Sequence, residues 1–280
     1  MSIYHIITNQ LQFITPRFYK ERYFKNLKNL TKDNYSQKNI EPELMWIKDF
    51  LNADSVMLDI GSNNGSFLYQ LEGKLSPKNL YAFEPNEKLY NRLRRIFPKI
   101  KSFCIALSDQ NGTAAFKIPI IKGKNYDSRG TLQIGYREED EEKHVLHQVK
   151  MLTLDDWQKS ENLTKINFIK IDVEGNEMKT LEGAKQVIAK FRPTLMVEME
   201  QRHHSEPIWD LIAQIESWEY AAYFLNRTTF NLERLSEKII LEQNNNKEIL
   251  MIKKNEIHKT SDYNINLDLA YKLIAEQFPE

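Results

Sequence analysis

The chain has 280 residues, of which 41% are hydrophobic and 28% charged, a composition typical of a globular protein with one substantial α/β core. Its 39 basic and 39 acidic side chains cancel, which argues against nucleic acid as the main partner, since such proteins carry a basic surplus. The single cysteine, Cys104, excludes an intramolecular disulfide and lies in an apolar run that predicts burial. No apolar run approaches the roughly 18 residues of a spanning helix, and no signal peptide is recognised, so a cytoplasmic protein is expected.

Residues 1–52 are predicted to form a helical extension or lid. Apolar residues at helical spacing predict a helix over Glu43–Leu51. Between Phe13 and Lys25, aromatic side chains are interleaved with lysine and arginine. This pattern favours a packing or lid segment, with contact to a membrane surface as the alternative.

From Val56 onward, short apolar runs alternate with helical stretches. The predicted strands are Val56–Leu58, Leu80–Phe83, Ser102–Leu107, Phe168–Ile171 and Thr194–Val197. The predicted helices are Phe67–Leu75, Glu87–Ile96 with Asn86 as N-cap, Glu177–Lys190 and Trp209–Trp218. Such alternation predicts a parallel sheet with helices on both faces. Two antiparallel pairs are also predicted: Ala114–Ile121 with Val149–Leu154, and Tyr220–Leu225 with Ile249–Ile252.

The segment Lys122–Val145 is predicted to be a loop. It contains the charge run Arg137–Lys143, which favours a solvated surface loop, with an acceptor-binding lid as the alternative. Gln243–Lys247, with three consecutive asparagines, is predicted to be a flexible turn.

Three of the predicted strands end in acidic residues, Asp59, Glu84 and Asp172. Ligands of parallel α/β sheets bind beyond the carboxyl ends of the strands, so these side chains are expected at one site. The turn Asp59–Gly65 contains glycines that let the backbone approach a ligand, but Asn63 and Ser66 replace two glycines of the dinucleotide fingerprint. Because Glu84 lies where nucleotide-binding folds place a ribose-binding acid, we expect a nucleoside ligand other than a dinucleotide.

Seven sequence blocks follow one another in this order: Leu58–Gly65, Ala82–Asn86, Ala106–Asp109, Leu152–Asp156, Ile169–Glu177, Leu181–Ala184, and Arg192–Pro193 before Val197–Glu198. Together they resemble the FkbM family of class I methyltransferases. Ser62 stands where the family usually has alanine. The resemblance runs from residue 56 to about 200 and covers both ends of the chain poorly.

The resemblance implies an α/β, Rossmann-like class I methyltransferase fold, with a seven-stranded, mostly parallel sheet whose last strand is reversed. The methyltransferase domain is predicted over residues 53–258, followed by a helical tail over 259–280. The resemblance also implies S-adenosylmethionine as cofactor. The residues expected to bind it are Asp59, Gly61, Ser62, Asn63, Gly65, Glu84, Pro85, Ala106, Leu107, Ser108 and Asp172.

Methyl transfer to a hydroxyl requires positioning and a base within reach of the acceptor proton. The candidate catalytic residues are Asp172, Glu174, His203 and His204. Each has a plainer alternative: Asp172 and Glu174 as structural acids of a loop, and the histidine pair as surface residues. A divalent metal held by Asp172, Glu198 and a histidine is conceivable but not favoured, because no ligand spacing supports it.

The expected function is therefore S-adenosylmethionine-dependent O-methylation of a sugar, a glycan or another small molecule. The alternatives are a methyltransferase directed at nitrogen or protein, an aminopropyl transferase, and a non-catalytic partner subunit with the same fold. Acceptor specificity is expected in residues 1–52, in residues 122–145 and near the C-terminus, none of which carries a recognisable motif. An oligomer is compatible with the sequence.

Overall fold

A computed structural model describes residues 10–38, 40–226, 229–235 and, as backbone, 270–277. The helices are α1 Pro16–Tyr23, α2 Glu43–Phe50, α3 Ser66–Leu71, α4 Glu87–Ile96, α5 Leu154–Glu161, α6 Glu177–Glu182, α7 Lys185–Phe191 and α8 Ile208–Glu216. The first strands are β1 Met57–Ile60, β2 Leu80–Phe83, β3 Lys101–Phe103, β4 Ala106–Leu107, β5 Gly112–Ile121 and β6 Lys124–Asn125. The others are β7 Glu141–Leu152, β8 Phe168–Ile171, β9 Thr194–Glu200, β10 Tyr220–Leu225, β11 Leu232–Arg234 and β12 Ala270–Gln277.

The central sheet confirms the predicted α/β architecture. Its strand order is β11-β10-β12-β9-β8-β1-β2-β3. Every neighbouring pair from β9 to β3 is parallel, whereas β12 is antiparallel to both β9 and β10, so the reversed strand is present. The described sheet has eight strands instead of the predicted seven, because the short strand β11 pairs with the outer edge of β10.

The reversed strand is formed by residues that were predicted to be helical. Residues 270–277 are rich in good helix formers, which suggested a helical tail, but they pair with a strand on each side. Such pairing satisfies the backbone on both edges and overrides the local propensity. The predicted partner of β10, Ile249–Ile252, and the predicted turn Gln243–Lys247 lie outside the described residues.

A second sheet, in the order β4-β7-β5-β6, stands beside the central one. The long antiparallel pair β5–β7 confirms the predicted pairing and extends it, since β7 begins at Glu141, inside the predicted loop. The predicted strand Ser102–Leu107 is divided between the two sheets, and Cys104, at the division, is only half-buried.

The predicted helix Glu177–Lys190 is also divided, into α6 and α7. The break contains Gly183, where an added Cβ would lie 2.0 Å from the carbonyl oxygen of Ser108. The chain there packs too closely on the neighbouring loop to carry a larger residue.

The core lies on both faces of the central sheet. The buried strand residues alternate in direction: Leu58 and Ile60 face helices α5 to α8, whereas Met57 faces α1 to α4. Residues 10–52 pack onto the second of these faces through Tyr19, Phe24 and Ile47. In the described part of the chain, no helix has both the length and the apolar character needed to cross a membrane.

Candidate active site

An open cavity lies at the carboxyl ends of β1, β2 and β8. Seven of the eleven predicted cofactor-binding residues line it: Gly61, Asn63, Glu84, Pro85, Ala106, Leu107 and Asp172. The parallel sheet therefore brings most of the predicted site together, as expected from the position of these residues after the strands.

The other four predicted residues, Asp59, Ser62, Gly65 and Ser108, do not line the cavity. Ser62 is buried and donates from its hydroxyl to the carbonyl oxygen of Asp59 at 2.7 Å, which fixes the turn after β1. Gly65 has φ +87°, and an added Cβ would lie 2.6 Å from the ring of Phe97, at the C-terminal end of α4. Ser108 packs against the helix break described above. These residues shape the walls of the site from behind.

Gly61 joins three strands at the floor of the cavity. Its φ is +76°, and an added Cβ would lie 1.8 Å from the carbonyl oxygen of Asp172. The N–H groups of Gly61 and Ser62 both donate to the carbonyl oxygen of Phe83 at 3.0 Å. The turn is therefore tied to the ends of both β2 and β8, and only glycine fits there.

Glu84 is a buried carboxylate held by the backbone. Its Oε2 accepts the N–H of Asn63 and its Oε1 accepts the N–H of Asn86, each at 2.8 Å. Burial raises the pKa of Glu84 to about 7, although both backbone donors oppose the rise. Each ionised oxygen can accept a further hydrogen bond, so the group suits a ligand with two adjacent hydroxyls.

Lys170 is a site residue that the sequence reasoning missed. Its Nζ donates to the carbonyl oxygen of Gly61 at 2.9 Å and to Asp172 Oδ2 at 3.0 Å, and lies 3.7 Å from Asp59 Oδ1. Burial opposes its charge, but the two aspartates outweigh burial and raise the pKa of Lys170. Burial raises the pKa of Asp59, and Lys170 partly offsets this. A lysine within an otherwise apolar strand was the available signal.

Glu174 lines the cavity from the loop after β8. Its backbone has φ +51°, a strained conformation for a glutamate. Glu177 holds the loop, since its Oε1 accepts the N–H groups of Val173 at 3.2 Å and Gly175 at 2.9 Å. Burial, with the nearby carboxylates of Asp172 and Glu200, raises the pKa of Glu174 well above its ordinary value.

His203 and Arg202 lie behind Glu174. His203 Nε2 is 3.1 Å and Arg202 Nη2 is 3.4 Å from Glu174 Oε2. Arg202 also donates to Glu138 at 2.6 Å and to Glu200. Burial lowers the pKa of His203, and the charge of Arg202 lowers it further, so the imidazole is neutral near pH 7.

Neither histidine lines the cavity, and neither is a surface residue. The side chain of His203 is 2% exposed and that of His204 is 9% exposed. His204 Nε2 lies 3.4 Å from Glu177 Oε2, behind the loop that carries Glu174. The surface alternative is wrong because the loop after β9 folds back under the site.

The segment Lys122–Val145, called the lid below, borders the site. Most of its residues are exposed, as expected of a solvated loop, and part of it also lines the cavity, as expected of a lid. Within its charge run, Glu138 and Glu141 are buried, and Glu141 forms a buried ion pair with Lys117 at 3.0 Å. Four of its residues line the cavity: Asp127, Ser128, Gly130 and Leu132. By contrast, none of the described residues before Val56 lines this cavity.

Two side chains attach this lid to the loops after β8 and β9. The Thr131 hydroxyl donates to the carbonyl oxygen of Glu174 at 2.6 Å. The Gln133 amide donates to the carbonyl oxygens of Gly175 at 2.6 Å and His203 at 3.0 Å. The lid and the loops after β8 and β9 therefore form one hydrogen-bonded unit.

Glu174, Glu200 and His203 offer ligand atoms within 4.8 Å of one another, a set that suits Mg²⁺ or Mn²⁺. This set differs from the metal site suggested by the sequence, which combined Asp172 and Glu198 with a histidine, because it contains neither of those two acids. Arg202 contacts both carboxylates and already supplies positive charge there.

Comparison with known proteins identifies the family of the chain. The chain is 30% identical over 183 residues to the 2-O-methyltransferase NoeI of Sinorhizobium fredii, a match covering 61% of this chain and 75% of NoeI. It is 28% identical over 137 residues to the hexuronic acid methyltransferase AglP of Haloferax volcanii, covering 46% of this chain and only 50% of AglP. Among solved structures, the methyltransferase FkbM of Methylobacillus flagellatus aligns with a TM-score of 0.44 and 17% identity, over 65% of this chain and 43% of that protein. Residues 59–253 match the methyltransferase FkbM domain, and the chain belongs to this family.

Proposed function

We propose that this protein transfers a methyl group from S-adenosylmethionine to a hydroxyl of a neutral sugar or glycan. The observation that carries this proposal is the charge of the cavity wall. Four carboxylates line it, from Glu84, Asp127, Asp172 and Glu174, and no lysine, arginine or histidine is among the lining residues of the described chain. Lys88, Lys170 and Arg202 pair with three of these carboxylates from outside the lining. Because the charged side chains that line the cavity itself are all acidic, the wall favours a cationic cofactor over an anionic acceptor.

The residues present fit S-adenosylmethionine. Glu84 suits the ribose diol, Gly61 leaves room for close backbone approach, and Asp172 suits the amino group. Apolar side chains on β4 and beside it suit the adenine; they include Ile105, Ala106 and Leu107. When bound, the cofactor supplies an electrophilic methyl group on a positively charged sulfur.

Glu174 is the proposed general base. It accepts the proton of the acceptor hydroxyl while the new C–O bond forms and the S–C bond breaks, which leaves a methyl ether, S-adenosylhomocysteine and a protonated Glu174. A carboxylate whose pKa is raised is a stronger base than an ordinary one. His203 acts as a positioning residue, since its Nε2 holds Glu174 Oε2 at 3.1 Å.

The names of the two relatives refer to different acceptor groups: a 2-O position for NoeI and a hexuronic acid for AglP. A carboxylate acceptor would approach Asp172 and Glu174, and the cations that pair with them, Lys170 and Arg202, are not among the residues that line the cavity. Like charges at such distances in a partly buried site are unfavourable, so the hydroxyl of a neutral sugar is the better match.

The test uses pairs of oligosaccharides that differ only in a hexose or the corresponding hexuronic acid, with S-adenosylmethionine labelled in the methyl group. We expect label in the neutral member, as an alkali-stable ether. Label in an alkali-labile ester, on nitrogen or in protein would contradict the proposal. So would stable cofactor binding with no transfer to any member of a broad glycan panel.

A further inference from the structure

The N-terminal helices carry an apolar surface that faces solvent. The three most exposed large hydrophobic side chains of the described residues are Ile14 at 76%, Phe13 at 59% and Phe18 at 58%. They fall within six consecutive positions. The opposite side of the same segment is buried through Tyr19. The segment therefore has a second apolar side, formed by Phe13, Ile14 and Phe18, that does not pack into the core.

Basic side chains lie on the same segment and on the helix that packs against it. Arg17 and Lys25 are exposed on the same segment. The neighbouring helix α4 adds Arg92, Arg94 and Arg95, and the Arg95 guanidinium lies 4.3 Å from the centre of the Phe13 ring.

The acids nearby do not cancel this charge. Glu21 pairs with Lys28 at 2.8 Å, and Glu72 pairs with Lys20 at 2.7 Å. The excess is local, since the formal net charge of the whole chain is +0. We name the surface formed by Phe13, Ile14, Phe18 and the five basic residues the N-terminal basic-apolar patch.

We infer that this patch docks the protein on an anionic lipid surface. Phospholipid headgroups complement the arginines and lysine, and the acyl boundary takes the side chains of Phe13, Ile14 and Phe18. A second copy of the chain fits less well, because a two-fold contact would bring the same positive charges together. Single-stranded nucleic acid would stack on the phenylalanines but would gain little from Ile14, the most exposed of the three.

The test measures co-sedimentation of the full-length protein with vesicles of phosphatidylcholine alone or with added phosphatidylglycerol. We expect binding to the anionic vesicles only, weakened by salt. A triple variant, Phe13→Ser with Ile14→Ser and Phe18→Ser, should bind at least about tenfold more weakly. Arg17→Gln and Lys25→Gln should each cost roughly fivefold.

The matched control is Leu146→Ser, which removes a side chain that is 50% exposed on another surface and should leave binding unchanged. As a second readout, Ile14→Cys labelled with an environment-sensitive dye, in a Cys104→Ser background, should report an apolar environment on adding anionic vesicles. Equal binding by the triple variant, or no binding at all, would overturn the inference. So would a patch-dependent dimer in light scattering, or displacement from vesicles by an oligonucleotide at low concentration. Methyl transfer to a water-soluble acceptor should be unaffected by the patch variants, so the outcome is independent of the proposed function.

Discussion

Glu84 and Glu174 are two buried carboxylates on the wall of one cavity, and the structure holds them in different ways. The oxygens of Glu84 accept hydrogen bonds from two backbone N–H groups, whose positions are set by the ends of β1 and β2. Glu174 instead meets the ionisable side chains of Arg202 and His203, from a backbone in the left-handed region. Fixed neutral donors suit a group that binds, whereas a network of titratable partners suits a group that exchanges a proton.

Glu174→Gln is expected to have the largest effect among the variants that test the different roles of Glu84 and Glu174. The amide keeps the shape of the side chain but cannot take a proton, so kcat should fall by about 10²–10⁴-fold while cofactor affinity stays unchanged. Single-turnover assays and calorimetry separate the two quantities. The matched control is Glu206→Gln, which changes an exposed glutamate in the loop after β9. Loss of cofactor binding with kcat intact would reverse the two roles.

Glu84→Gln should produce the complementary result. The amide NH₂ faces backbone N–H donors and cannot accept both ribose hydroxyls. Each charge-assisted hydrogen bond lost costs about 1.5–3 kcal/mol, or roughly ten- to a hundredfold in affinity. Calorimetry with S-adenosylmethionine measures the loss, and Glu87→Gln, exposed on the adjacent helix, is the control. The thermal midpoint of unfolding shows whether the fold survives.

His203→Ala should affect rate and its pH dependence together. Loss of the Nε2–H donor removes a hydrogen bond to the charged form of Glu174, so kcat should fall by about tenfold. For the same reason the pKa of Glu174 should rise, and the acid limb of the pH–kcat profile should move to higher pH. His203→Gln keeps a donor and should restore most of both. If the pH–kcat profile of His203→Ala stays at its original position, His203 contributes only packing and does not position Glu174.

Cofactor affinity should itself depend on pH through Glu84. The pKa of this carboxyl is about 7 in the free protein, and only the ionised form accepts both ribose hydroxyls. Affinity should therefore rise with pH, by about tenfold between one unit below and one unit above that pKa, and then level off. Calorimetry in buffers of different ionisation enthalpy should detect proton release on binding at the acid end. The profile should be flat in Glu84→Gln.

The smallest expected effect is that of a chelator. Because Arg202 already neutralises Glu174 and Glu200, methyl transfer should continue unchanged in excess EDTA. A loss of activity that Mg²⁺ or Mn²⁺ restores would assign the trio Glu174, Glu200 and His203 to a metal, and would replace the proton-exchange role given to Glu174.

The same contrast explains what the sequence could predict. Glu84, Asp172 and the Gly61 turn were predictable because parallel strands bring their carboxyl ends to one edge, so position along the chain implies position in space. The surroundings of Glu174 were not, since Arg202 reaches Glu138 across 64 positions and no periodicity links them. Charge runs are usually solvated. Burial of Glu141 and Glu138 depends on ion pairs with residues outside the run, Lys117 for Glu141 and both Arg129 and Arg202 for Glu138. The strand at 270–277 was missed for a similar reason, because its pairing is entirely long-range.

The attachment of the lid to the loops after β8 and β9 has a consequence for engineering and for evolution. Exchanging the segment 122–145 between homologues is the obvious way to change the acceptor. Thr131 and Gln133, however, support the backbone of Glu174, Gly175 and His203, so an exchange that omits them should lower the rate for every acceptor alike. Variation in substrate range is therefore expected to arise most readily at positions on the lid that line the cavity without contacting those loops, such as Ser128 and Leu132.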